Sequence, residues 1–433
     1  MIDENAAVSE LAESPIRLVV LDDDLGRNRL TVFLRVLLAI PHLVWLSLWG
    51  IAVSVAAFVL WLAVLIEGRA PRNVHDFVAA YVRYATHVGA YVFLAANPFP
   101  GFRGSSGYPV DVEIDPPARQ SRWSGLFRLL LAVPAMLVAA WLGAGLAWAP
   151  LGGWFVFLVA LAGGGVAGTA AFLVWFAALV RGRAPRGLRD LIAYALGYSA
   201  QASGYALLLT GQYPSSDPVY AEPYAELPEH PVRVVVGDET RRARLTVLFR
   251  ALLAIPHLVW LTLWGIAVFF AALAAWLSAL VAGRVPRPLH RFLSAYLRYS
   301  LHVYAFVTLV GRRFPGFTGR AGSHGIELEL PEPERQRRWT VLLRLLLAIP
   351  ALFVANVLGN MVFVVAFLGW WYALVRGRMP EGLRNLGVAC LRYNAQTYAY
   401  LLLVTGEYPY AAPVLRGRPE PEAPPLPLLL YTR

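Results

Sequence analysis

Residues 29–53 read RLTVFLRVLLAIPHLVWLSLWGIAV, and residues 244–268 read RLTVLFRALLAIPHLVWLTLWGIAV. Near-identity at an offset of 215 positions makes the chain a tandem duplication, and such a repeat governs every later assignment. Each half divides again into two weaker copies, anchored on Pro41, Pro134, Pro256 and Pro350. Twelve residues before each anchor stands one arginine (Arg29, Arg122, Arg244, Arg338), and six before it stands another (Arg35, Arg128, Arg250, Arg344). Downstream comes a Gly-Arg-x-Pro turn: Gly68, Arg69 and Pro71; Gly182, Arg183 and Pro185; Gly283, Arg284 and Pro286; Gly377, Arg378 and Pro380. The second copy reaches its turn 21 residues later than the others and therefore carries an insertion. Each copy closes on an aromatic-proline pair: Phe99-Pro100, Tyr213-Pro214, Phe314-Pro315 and Tyr408-Pro409.

Composition narrows the class. With 433 residues, 58% hydrophobic and only 15% charged, the chain is too apolar for a soluble globular protein, in which charged residues run near a quarter. All 38 basic residues are arginine, and Cys390 is the single cysteine. The missing lysine excludes Schiff-base chemistry and a complete phosphate-binding loop. A single cysteine excludes an intrachain disulfide, a thiolate cage and a Cys-ligated cluster. There is no G-x-S-x-G, no H-E-x-x-H and no acid deep within an apolar segment, so the reading is non-enzymatic, with no cofactor and no metal. The lysine-free, Ala/Arg-rich usage points to a GC-rich bacterial genome.

The flanking arginines, the LLAIPH segment, the Gly-Arg-x-Pro turn, an Arg-Tyr pair in the following helix and the closing aromatic-proline pair resemble the bacterial membrane family of domain of unknown function 4389. The resemblance covers nearly the whole chain as four copies. It implies a multi-pass membrane protein without an established activity, so no catalytic residue is carried over. The second copy departs from the pattern in its insertion and in Gly197, where the others have arginine.

The expected fold is mainly α: a polytopic membrane protein of four repeated helical hairpins. The uncharged segments 43–66, 258–282 and 351–375 are each long enough to cross a hydrocarbon core of about 30 Å. The stretch before each anchor proline is read as an interfacial helix bending into the span, with one long tilted helix as the alternative. After the turn the chain re-enters through 77–96, 191–210, 292–311 and 386–405, which makes eight spans, or nine with the insertion. Alternating runs at 16–21, 108–114, 231–236 and 325–330 are strand signals, and four equivalent strands are expected to pair into one small extramembrane sheet. The resulting organisation is a disordered tail over 1–14, units at 15–105, 106–220 (insertion near 141–165), 231–320 and 324–414, and a proline-rich tail over 415–433.

Of the arginines, 23 fall in junction and terminal segments, 12 at the turns, and three (Arg83, Arg298, Arg392) inside re-entering helices. This division predicts two faces, a near-neutral junction side placed in the cytoplasm with both termini, and a net-positive turn side. The expected partner is the bilayer of the plasma membrane, including anionic lipid headgroups. Nucleic acid is excluded by the acids that match the arginines, and protein partners are not indicated.

Ionisable groups within spans are functional candidates by default. Here they are Arg83, His87, Arg298, His302 and Arg392, with Gln201 and Gln396 where two units replace histidine. The arginines are within reach of carboxylates such as Asp76, and His42 and His257, just after the anchor prolines, make two histidine pairs with His87 and His302. Three functional classes follow. The leading one is a scaffold or lipid-interacting module; the others are a transporter or channel for an uncharged or anionic solute, and a haem-binding electron-transfer subunit. A polar cavity near His87 and His302 would favour transport, and dry interfaces would disfavour it.

Overall fold

The structure is a computed structural model describing residues 14–21, 24–143, 165–218, 230–237 and 240–412. The expected tails, apart from Ser14, and residues 144–164 of the insertion lie outside the described residues. Each unit holds a first helix and a return helix joined by the Gly-Arg-x-Pro turn. These are α1 (Arg29–Glu67) and α2 (Arg72–Val92) in unit 1. Unit 2 has α3 (Arg122–Leu126), α4 (Arg128–Leu142) and α5 (Val166–Arg181), followed by α6 (Arg186–Ala206). Unit 3 has α7 (Arg244–Ala282) and α8 (Arg287–Val307), and unit 4 has α9 (Arg338–Leu342), α10 (Arg344–Arg376) and α11 (Glu381–Leu401).

The turn works as two caps placed back to back. Its glycine ends the first helix in the left-handed conformation (φ 73° at Gly68, 70° at Gly182, 71° at Gly283, 69° at Gly377), which costs glycine no Cβ clash. Its proline then sits at the N-cap of the return helix with extended backbone and restarts the chain in the opposite direction. The return helices end without glycine. Leu94, Leu208, Leu309 and Leu403 occupy positive φ instead, so something must hold those four turns.

The anchor proline does not end a helix. In units 1 and 3 the helices run unbroken for 39 residues through Pro41 and Pro256, so the separate interfacial helix is replaced by the long-helix alternative. Proline removes one internal hydrogen bond, while the buried seam of α1 (Val32, Arg35, Ala39, His42, Leu46) continues on both sides of it and keeps the helix in register. Units 2 and 4 do break, but upstream, at Phe127 and Leu343 immediately before the buried arginines.

Among the described residues, three helices are long and apolar enough to cross a membrane: Arg29–Glu67, Arg244–Ala282 and Arg344–Arg376. The return helices are 21 residues each, and they bury histidine, glutamine, threonine and tyrosine inside the protein.

Two first helices pair antiparallel within each half, and the turns make the joint. Arg27 N–H donates to Gly182 O and Ala184 N–H to Leu25 O, both at 2.8 Å, while at the far end of α1 Gln120 N–H donates to Gly68 O at 2.8 Å. The second half repeats this through Arg242 to Gly377, Met379 to Thr240 and Gln336 to Gly283. Each turn therefore lies beside the start of the partner unit. That corrects the expected separation into a junction face and a turn face: each end of a half carries one junction and one turn.

Across the molecule the first helices form a raft in the order α1, α4/α5, α10, α7, and the return helices pack on it as a second layer. The strands make a third layer on the return helices. They form two separate antiparallel ribbons, β1 (Ile16–Val20) with β2 (Val110–Ile114) and β3 (Arg233–Val236) with β4 (Ile326–Glu329), rather than one sheet of four. Each half pairs its own two strands because each half is closed by its own turn contacts. The halves meet reciprocally: Gly187 abuts Tyr410 and Ala411, while Gly382 abuts Ser216 and Asp217, and Asn385 Nδ2 donates to Asp217 Oδ2 at 2.8 Å.

Candidate functional site

The motif arginines are helix caps. Arg29, Arg244 and Arg338 each donate to a carbonyl in the last turn of the partner unit's first helix, at Val180, Val375 and Val281 (2.9–3.0 Å). Arg122 lies beside Gly68 as Arg244 lies beside Gly377. A cation there complements the negative end of the helix dipole. The second set caps the unit's own return helix from inside the protein. Arg35 donates to Tyr91 O and Ala96 O at 2.9 Å and stacks 4.3 Å over the Tyr91 ring, at 2% exposure. Arg250 donates to Gly311 O over Phe306, and Arg128 and Arg344 reach Thr210 O and Thr405 O over Tyr205 and Tyr400.

The left-handed leucines are held by the residue two before the first arginine of each unit. Arg27 and Arg242 donate to Leu94 O and Leu309 O, and Gln120 and Gln336 donate to Leu208 O and Leu403 O. Gln120 also accepts from Arg128 at 2.6 Å, and Gln336 accepts from Arg344. These four residues escaped the sequence reading because they alternate between two residue types. The signal was their fixed place in the repeat.

The polar residues inside the return helices dock the strands. His87 Nε2 lies 2.8 Å from Asp111 Oδ1, and Arg83 Nε donates to Val112 O at 3.0 Å with Asp111 3.7 Å away. Arg298 Nε donates to Leu328 O at 3.2 Å and lies 3.0 Å from Glu327, and the buried His302 stacks face to face on His324, rings 4.7 Å apart. Gln201 and Gln396 donate to Ile16 O and Val232 O while accepting from Ser215 N–H and Tyr410 N–H. Arg392 donates to Ala412 O at 3.0 Å. Arg83 thus pairs with strand β2; Asp76, the acid expected for it, sits with Arg72 and His75 near the turn. Burial drives the Asp111 carboxyl upward, but hydrogen bonds from His87 and from the amides of Gly107 and Val112 outweigh this, and the net shift is downward.

His42 and His257 are enclosed elsewhere. Each places Nδ1 against a tyrosine hydroxyl, Tyr84 at 2.6 Å and Tyr299 at 2.8 Å, between two phenylalanines of the following loop. Among the described residues no group of three or more His, Cys, Asp or Glu side chains is placed to hold a metal ion.

A further opening lies away from these histidines. A cavity of about 620 Å³ lies between units 3 and 4, lined by Tyr296, Tyr304, Tyr398, Asn356, Asn360 and Asn394 among leucines, with no charged residue among the described residues that line it. The positions of the first half equivalent to Tyr304, Asn356, Asn394 and Tyr398 carry Gly89, Ala140, Ser199 and Ser203. There the backbone leaves and rejoins the first helix at Gly143 and Gly165, which touch each other. Gly143 is the counterpart of Gly359 in the cavity wall.

Comparison with known proteins yields one match. The model described as Domain of unknown function (DUF4389) matches four times, at residues 29–103, 154–216, 244–318 and 338–412, together more than half of the chain. No curated protein and no solved structure matches it.

Proposed function

The chain belongs to the DUF4389 family in four tandem copies, and from that premise we propose that it is a non-enzymatic, lipid-interacting scaffold embedded in the bacterial plasma membrane. One contrast carries this reading. The buried arginines, the glutamines and His87 are engaged with the protein's own backbone and strands, while the first helices leave apolar side chains outward along their whole length. Leu30 and Ile66, at opposite ends of α1, are 68% and 69% exposed, a surface that water does not stabilise. Arginines at the helix ends supply donors for anionic headgroups. The test is flotation of purified protein with vesicles of phosphatidylethanolamine and phosphatidylglycerol. Scaffold and lipid function require co-flotation that survives alkaline carbonate, and a monodisperse protein that stays at the bottom without detergent refutes it.

A second reading, passage or storage of an uncharged solute, is favoured by the charge-free cavity between units 3 and 4. Flux of neutral solutes into proteoliposomes, abolished by Asn394→Leu, is its signature. The haem alternative is weakened by the stacking of His302 on His324 and by the phenylalanine cages around His42 and His257. Soret absorbance of the purified protein decides it.

A further inference from the structure

We infer that the raft of first helices lies in the plane of one leaflet and does not cross the bilayer, so that the protein is a slab with hydrocarbon beneath the raft and water above the strands. The inference rests on the membrane reading above and concerns how that membrane is met.

Length is the first argument. A 39-residue helix is about 58 Å long, nearly twice a hydrocarbon core of about 30 Å. Crossing with its apolar length immersed demands a tilt of about 60° from the normal, beyond the range of up to about 40° found for spanning helices. In the plane, the full length is accommodated without mismatch.

The strand layer is the second. β2 lies against the middle of α2, where Arg83 reaches Val112 O, and α2 runs back along α1. A crossing α1 would hold the ribbon at the depth of the bilayer core. The ribbon carries Arg17, Glu113 and Asp115 at its surface, with Glu113 and Asp115 side chains 51% and 43% exposed, and its two strands have open edges. Exposed carboxylates and open sheet edges do not occur against hydrocarbon. With the raft in the plane, the same ribbon is two layers away from the lipid.

The ends of the helices are the third. Because each half pairs its first helices head to tail, both ends of the raft present the same chemistry: Arg29 and Arg183 at one, Arg69 and Arg122 at the other. Equal rims of guanidinium at both ends suit one ring of anionic headgroups around a single embedded face.

The experiment uses the full-length protein in right-side-out and inside-out vesicles from the same cells, with an impermeant thiol reagent. The cysteine pairs are Arg29→Cys with Glu67→Cys, and Arg244→Cys with Arg284→Cys, each made singly. The buried Cys390 leaves the parent unlabelled. Both members of a pair are expected to label in the same vesicle preparation and to be protected in the other. Labelling in opposite preparations overturns the inference while leaving the membrane reading intact; loss of the protein from the membrane fraction fails the membrane reading itself. As a second measurement, a fluorophore on Leu30→Cys, Val55→Cys or Ile66→Cys is quenched by lipids brominated at graded depths. Equal shallow depth at all three supports the slab, and a central site much deeper than both ends overturns it.

Discussion

Replacing Arg344 by methionine keeps the apolar stem and deletes the guanidinium that caps the last return helix. That group is 2% exposed, donates to the Gln336 amide oxygen and stacks 4.0 Å above the Tyr400 ring. A hydrogen bond from a charged donor contributes about 1.5–3 kcal/mol, and a desolvated cation–π contact about 2 kcal/mol. Its contact with Thr405 O, at 3.5 Å, adds little. Gln336 in turn holds Leu403 O at the left-handed turn, so the loss propagates to a strained residue. Together these give about 3–5 kcal/mol. Cys390 on α11, 1% exposed and the chain's single thiol, reports the opening of the same unit. Labelling by a thiol-reactive dye in mild detergent is expected to accelerate by about two to three orders of magnitude for Arg344→Met. Arg338→Met, which removes one solvent-exposed bond to Val281 O, is expected to change it only a few-fold. If both variants label within about threefold of each other, the buried arginine is not the cap described above.

Three further outcomes follow from the same geometry. Asp111 has a depressed pKa, so its stabilisation of the β2 dock is present above the ordinary carboxylate value of about 4 and is lost as pH falls through the lower folded value. Asp111→Asn is expected to flatten that acid loss in a pH series of thermal unfolding, and an unchanged acid limb contradicts the assignment. Gly68 and Gly104 both hold positive φ, but a Cβ on Gly104 would strike Ala80 O while one on Gly68 would meet Gln120 O at 3.6 Å. Gly104→Ala is therefore expected to lower the melting temperature distinctly more than Gly68→Ala, for which about 1 kcal/mol of backbone strain is the main cost. Asn360→Leu with Asn394→Leu makes the cavity apolar, and retention of a neutral solute is expected to fall while vesicle flotation stays as in the parent; loss of both would place these asparagines in the fold instead.

The repeat, its caps and the arginine pairs were legible in the chain because they act over short range. Gly68 must end a helix and Pro71 must start one wherever the unit is placed. Which copies pair was not legible, since the bond from Gln120 to Gly68 depends on two units running head to tail, and near-identical copies permit either arrangement. The same ambiguity hid the acids. Asp111 and Glu327 stand in strands far from the return helices in sequence, and only the fold-back after Phe99 and Phe314 brings them to His87, Arg83 and Arg298. The length of α1 misled in another way: proline reads as a break, yet the buried seam on both sides of Pro41 carries the helix through it.

The reciprocal contacts of Gly187 with Tyr410 and of Gly382 with Ser216 amount to a two-fold interface written into one polypeptide. Were the halves separate identical chains, each substitution would be made twice and the two faces would stay alike. Joined covalently, the halves are tied in one-to-one stoichiometry and each is free to specialise. Ala140 can stand where its counterpart is Asn356, and one half can accept 21 extra residues where the other keeps an open, tyrosine-lined hollow. Asymmetry is thus what the duplication makes available, on a frame whose symmetric contacts hold the two specialised halves together.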